Sequence, residues 1–170
     1  MKDGVRILGI DPGSRITGYG VIEYLRGQPF FIACGTIRAK EKSLADRLWE
    51  IHSGISEVIA EHSPFMAAIE KVFVSINPSS ALKLGHARGV LILAAREKGM
   101  TVAEYSPSQI KQAVAGYGRA EKAQVQEMVR AILGLDRKPS NDAADALAVA
   151  VCHSNHLLVN GQPATKIVTR

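Results

Sequence analysis

The chain has 170 residues, 46% of them hydrophobic and 5% aromatic, and 21 lysines and arginines against 16 aspartates and glutamates give a formal net charge of +5. That length supports one domain with a mostly aliphatic core, and the basic balance is compatible with a polyanionic partner. No apolar run reaches transmembrane length, the first apolar stretch is too short for a secretory signal, and Cys34 and Cys152 lack metal-site spacing, so the sequence predicts a cytoplasmic protein with two free thiols.

The first predicted strand holds Ile7, Leu8 and Ile10, an apolar run cut off at Asp11-Pro12-Gly13. Pro12 removes a backbone N–H and Gly13 tolerates a turn, so the chain bends there and Asp11 closes the strand. An acid in that place either opens the turn or faces a ligand at the sheet end. Thr17 to Tyr24 and Phe30 to Ile37 have strand composition on either side of Leu25-Arg26-Gly27-Gln28-Pro29, which predicts an antiparallel hairpin. From Ser43 the period becomes helical: Leu44, Leu48, Ile51, Ile55, Val58 and Ile59 fall three or four apart, ending near His62-Ser63-Pro64. The stretch from Phe65 to Phe73 follows as a strand, and a strand straight after a helix lies parallel to the first. It too meets an acid, Glu70, which is either solvated past the strand end or held by a partner, because burial alone is costly.

Ser79 to Lys98 predicts a long helix, and its segment from Gly89 to Ala95 is apolar round most of its circumference. One stripe faces the sheet. The remainder needs another cover, and we assign it to a second copy of the chain around Gly85, Gly89 and Leu93. Met100 to Glu104 is a short strand. Ser106-Pro107-Ser108-Gln109 reads as a capped helix start, and that helix carries Lys111 and stops near Gly116. Another helix runs from about Ala120 to Leu133 with Lys122 in its first turn, where a cation opposes the helix dipole. Lys122 is therefore either simply solvated or turned to an anionic partner. The last helix begins around Pro139-Ser140-Asn141-Asp142, with Ser140 as its cap, and runs through Cys152. Asp142 and Asp145 are three apart and share one face near its start. Dipole pairing accounts for Asp142 and less well for Asp145, which is embedded in an alanine-leucine helix that must pack. The pattern fades after about His156, so residues 1–158 read as one domain and 159–170 as a flexible basic tail.

This order of elements describes an α/β fold: a five-stranded mixed sheet in the order 3-2-1-4-5, its hairpin antiparallel, flanked by helices. Asp11 and Glu70 then end neighbouring strands, and a helix N-terminus brings Asp142 and Asp145 to the same spot. Four carboxylates together repel one another and serve no structural purpose, and divalent cations resolve the repulsion. Mg²⁺, or Mn²⁺ in its place, takes hard oxygen ligands. Two such ions about 3.5–4 Å apart suit in-line phosphodiester cleavage.

The runs Ile7 to Gly20, Ile69 to Phe73, Ser80 to Val90, Glu121-Lys122 with Gln124-Val125, and Asp142 to Ala148 together resemble the RuvC family of Holliday-junction resolvases, within the ribonuclease H-like superfamily. The ordered set is far more specific than Asp-Pro-Gly alone. The resemblance implies a homodimeric endonuclease that resolves four-way DNA junctions by paired symmetric nicks in recombination and repair, with the RuvAB branch-migration complex as partner. It implies Asp11, Glu70, Asp142 and Asp145 as the catalytic metal-binding acids, Lys111 and Lys122 beside the scissile DNA, and Phe73 as a ring stacked on a base near the crossover. Setting those four acids aside from the 16 leaves 12 acids against 21 bases. Lys83, Arg88 and Arg119 are expected to join Lys111 and Lys122 on the DNA.

Three other readings compete. A YqgF-type RNA-processing nuclease shares the aspartate strand, but the Ser80 to Val90 helix matches the resolvases better. An actin-like or sugar-kinase ATPase opens similarly, yet it needs a second lobe that 170 residues do not supply. The presence of all four acids argues against a non-catalytic junction-binding module.

Overall fold

A computed structural model describes residues 4–72 and 77–159. Its elements are β1 (Val5–Asp11), β2 (Ile16–Leu25), β3 (Gln28–Arg38), α1 (Leu44–His62), β4 (Met66–Glu70), α2 (Pro78–Glu97), β5 (Thr101–Tyr105), α3 (Pro107–Ala115), α4 (Lys122–Ile132) and α5 (Asn141–Val159). The strands form one sheet in the order β3-β2-β1-β4-β5, antiparallel across β1/β2 and β2/β3 and parallel across β1/β4 and β4/β5. The predicted topology is the observed one, with β1 at the centre. Among the described residues no helix is long and apolar enough to cross a membrane, and both cysteines are free.

Local chemistry sets the boundaries. The hairpin turn is tighter than expected: only Arg26 and Gly27 lie between β2 and β3, with φ of 51° and 84°. Two left-handed residues give a turn whose twist matches the strands it joins. Pro29 therefore belongs to β3, an edge strand, where proline is tolerated. Ser43 caps α1 by accepting from the Asp46 N–H at 3.1 Å. Asn77 caps α2, accepting from the N–H groups of Ser79 and Ser80 with Pro78 in the first turn. On α3 the capping box is complete, Gln109 N–H to Ser106 Oγ at 3.2 Å and Ser106 N–H to Gln109 Oε1 at 2.8 Å. α4 starts on Lys122 without any side-chain cap.

Alternation along the strands sorts their side chains onto two faces. Ile7, Met66, Ala68 and Tyr105 join the core beneath α3, α4 and α5. Leu8, Ile10, Ala67 and Ile69 join the core beneath α1 and α2. Asp11 is four residues after Ile7, and Glu70 two after Ala68, so the same parity puts both acids on the α5 face.

Glycines decide how close α5 comes to the sheet. A Cβ on Gly9 would lie 2.1 Å from the Ala146 carbonyl oxygen, one on Gly18 2.0 Å from that of Asp142, and one on Gly20 2.7 Å from Leu147 Cδ2. α2 is different. Ala87, Leu91, Ala94 and Ala95 are buried, while Leu82 and Leu93 on its outer side are 65% and 54% exposed. Among the described residues, nothing lies within reach of a Cβ added at Gly85 or Gly89.

Candidate active site

Asp11 ends β1 opposite Gly18 of β2. The loop between them is closed by Thr17, whose buried hydroxyl donates to Gly13 O at 3.0 Å and lies 3.4 Å from the Gly13 N–H. Gly18 leaves room for the backbone of Asp142, so the first turn of α5 sits directly over the end of β1. Sequence reasoning does not single out Thr17 or Gly18. The available signal is the pair Gly18 and Gly20 inside a strand of otherwise β-favouring residues, since strand glycine marks a close backbone approach. On the other side of Asp11, Glu70 ends the parallel neighbour β4.

The four acids act on one another. Burial, then the charges of Glu70, Asp145 and Asp142, push the Asp11 carboxyl up to about 7 against an opposing pull from Lys122. Glu70 is also raised, first by burial and then by Asp145, while Lys122 and Lys111 pull it down. Lys122 Nζ pairs with Asp145 Oδ2 at 2.5 Å, and that hydrogen bond raises the lysine pKa. The two options for Lys122 are thus joined by a third: the anion that offsets its unfavourable place on the helix dipole is an acid of its own chain.

Two clefts meet at these residues. One, of about 210 Å³, is lined by Glu70, Lys111, Lys122 and Asp145 with Pro107, Ile110, Val125 and Ala148. The other, of about 270 Å³, is lined by Asp11, Pro12, Glu70, Lys71, Val72, Leu84 and Pro107. Glu70 and Pro107 form their common wall. Lys71 enters the second lining without having been expected there. Lys83 and Arg119 are exposed and line neither cleft. Arg88, expected on the DNA, makes two contacts within the chain. Its Nε donates to Glu70 O at 3.3 Å and its Nη2 pairs with Glu104 Oε2 at 2.5 Å. Phe73 lies outside the described residues.

The donor set is all carboxylate, which suits Mg²⁺ or Mn²⁺. Among the described residues no three acids, histidines or cysteines stand close enough to chelate one cation as they lie. Mg²⁺ does not require such a cage, because it keeps several waters and commonly takes one or two carboxylates beside substrate phosphates. The surplus of negative charge around Asp11 fits an ion of that kind.

Residues 7–153 match the model of the family described as crossover junction endodeoxyribonuclease RuvC. The chain belongs to the RuvC family. It is 56% identical over 149 residues to the crossover junction endodeoxyribonuclease RuvC of Hahella chejuensis, covering 88% of this chain and 87% of that one. Identity to the same enzyme of Burkholderia multivorans is 53% over 151 residues, 89% of this chain and 84% of the relative. Among solved structures, Thermus thermophilus RuvC in complex with Holliday junction substrate superposes with a TM-score of 0.86 at 34% identity, covering 92% of this chain and 96% of that one. The RuvC match favours the resolvase reading over the YqgF alternative. The five-stranded sheet with its flanking helices is the ribonuclease H-like architecture of the RuvC structures.

Proposed function

We infer that this protein is a crossover junction endodeoxyribonuclease whose four carboxylates hold divalent metal at the scissile phosphate of a four-way DNA junction. The observation that carries the site is the convergence of Asp11, Glu70, Asp142 and Asp145 on one sheet end, where burial and then the three neighbouring acids hold Asp11 at a pKa of about 7. When bound, two Mg²⁺ ions, or Mn²⁺ in their place, supply an activated water and stabilise the leaving 3′-oxygen, giving ligatable 5′-phosphate and 3′-hydroxyl ends. Asp11 and Glu70 fix their ligand positions on the rigid sheet, and Asp142 and Asp145 close the site from α5. Lys122 exchanges Asp145 for a phosphate oxygen as DNA enters, and Lys111 grips the strand across the same cleft. Lys83 and Arg119 extend the basic surface, and Phe73 stacks on an unpaired base.

Paired nicks need two sites related by a two-fold axis, and a two-fold interface uses one patch twice. The exposed stripe of α2 around Gly85, Gly89 and Leu93 is the surface we assign to that contact. The working protein is then a cytoplasmic homodimer of single nuclease domains, residues 1–158, acting with the RuvAB branch-migration complex.

The test is nicking of a synthetic four-way DNA junction, run beside duplex DNA, RNA and ATP. Junction-selective nicking that a chelator stops is the expected result; preferential RNA cleavage would favour the YqgF-type reading instead. Asp11→Asn, Glu70→Gln and Asp145→Asn should each abolish nicking and leave junction binding in place. Near wild-type cleavage by two of the three would overturn the site. Binding should weaken steeply with salt, and Lys111→Ala or Lys122→Ala should lower the salt slope by about one contact as well as impair cleavage.

A further inference from the structure

We propose that Arg88 is a positioning residue for Glu70: together with Glu104 it clamps the peptide group that follows the carboxylate. The proposal rests on the reading of Glu70 as a metal-binding acid and adds the device that holds it.

The peptide group in question joins Glu70 to Lys71, at the last paired position of β4, where Glu70 stands opposite Tyr105 of β5. Its N–H, on Lys71, donates to Tyr105 O at 2.8 Å. Its C=O, on Glu70, accepts from Arg88 Nε at 3.3 Å. Arg88 is itself anchored, Nη2 to Glu104 Oε2 at 2.5 Å, and its side chain is 20% exposed. Glu104 immediately precedes Tyr105. Tyr105 packs in the core beneath α5, so strand parity turns Glu104 to the α2 face, where Arg88 descends. One dipeptide of β5 therefore holds both ends of the same peptide plane, directly through Tyr105 and indirectly through Arg88.

The consequence for Glu70 is geometric. A strand end held only by its N–H can pivot about that bond, and the side chain swings with it. A peptide held at N–H and C=O from two different directions cannot rotate without breaking one of them. The guanidinium suits this task because its fork aims Nε and Nη2 at two acceptors in a fixed plane. A lysine ammonium carries the same charge without that geometry. Outer partners of metal-binding side chains typically alter metal affinity or activity by 10–100-fold when removed.

The experiment uses Arg88→Lys, Glu104→Ala and the double variant in the full chain. Each single variant should slow single-turnover junction cleavage by about 10-fold or more. The Mn²⁺ concentration for half-maximal cleavage should rise, and high Mn²⁺ should recover part of the rate. Junction affinity and its salt slope, measured without metal, should be unchanged. The double variant should be no slower than the worse single one, because both break one clamp. Glu104→Ala removes the acceptor that anchors Arg88 at a half-exposed position and decides the matter alone if the arginine variant does not fold. Weaker junction binding with a shallower salt slope would make Arg88 a DNA contact and overturn the proposal. So would unaltered cleavage, or a loss that merely tracks the unfolded fraction seen by circular dichroism at the assay temperature. Glu70→Gln run alongside separates two failures. If it cleaves like wild type, the reading of Glu70 fails; if it is inactive while the Arg88 and Glu104 variants are normal, only the clamp fails.

Discussion

α5 and α2 have 19 and 20 residues, both rich in alanine and leucine, and both carry apolar side chains round most of their circumference. α5 is enclosed: Ala143, Ala144 and the run from Ala146 to Cys152 are all buried. α2 buries one stripe and leaves Leu82 and Leu93 open. Glycine marks the contrast. The space beside Gly9 and Gly18 is filled by the α5 backbone and that beside Gly20 by Leu147, while among the described residues nothing stands near Gly85 and Gly89 of α2. An apolar helix that its own sheet covers completely belongs to the core, and one that its sheet covers halfway leaves an apolar stripe open, the stripe assigned above to a second copy of the chain.

The largest expected effect breaks the α5 side. In Gly9→Ala the new methyl would meet the Ala146 carbonyl at 2.1 Å, and backbone cannot move aside as a flexible side chain does. The helix must lift, so urea unfolding should show a loss of about 3 kcal/mol or more, or no folded protein. Unchanged stability would mean that α5 does not lie this close.

Gly89→Glu tests the α2 side. Among the described residues nothing lies within 4 Å of a Cβ added at that position, so the monomer should fold normally. A carboxylate buried unpaired at a two-fold contact should weaken association by about 100-fold, near 2.7 kcal/mol, with loss of efficient nicking. Sedimentation at micromolar protein reads the outcome, and a wild type that is already monomeric would remove α2 from the interface.

A smaller effect follows from the uncompensated charge under the α5 N-terminus. The Asp11 carboxyl has a folded pKa of about 7 against 3.8 when free. Between those values the folded state binds more protons than the unfolded one, so metal-free stability falls as pH rises from about 4 to about 7 and stays low above. Asp11→Asn removes the penalty. Its thermal unfolding in chelator should show a gain on the order of 2 kcal/mol at pH 8, shrinking toward pH 4. A gain that does not depend on pH would show that Asp11 is not the group responsible. His153 acts oppositely: burial, then His156, lowers it to about 4, so its contribution is lost as pH falls below about 6.5.

The smallest effect sharpens the contrast by using the same substitution with the opposite sign. Gly85→Ala adds a methyl that meets nothing among the described residues and improves helix propensity. Monomer stability should rise by about 0.5–1 kcal/mol, measured under dilute conditions, whereas a loss would reveal a close neighbour within the chain.

Topology was legible because composition, period and punctuation agree: apolar and β-favouring runs cut by turn residues before Arg38, helical spacing from Leu44, and the capped start at Ser106. Both strand-end acids were legible for the same reason. What stayed hidden depends on distances between elements. Arg88 and Glu104 are 16 apart in sequence and belong to different elements, and no local pattern says that the arginine turns inward. The pairing of Lys122 with Asp145 likewise needs the approach of α4 to α5.

The attachment of α5 constrains where the chain tolerates a change of length. Its phase is fixed by contact with Gly9, Gly18 and Gly20, and Asp142 and Asp145 inherit their directions from that phase. A residue inserted in the segment 134–140 is absorbed by the connection and leaves the helix seated. A residue inserted between Asp145 and Leu147 turns everything before it by about 100° relative to the seated portion, carrying both acids off the sheet end while the helix remains intact. Insertions and deletions among descendants of this chain should therefore accumulate before Asn141 and be purged just after it, with helix content unchanged in either case.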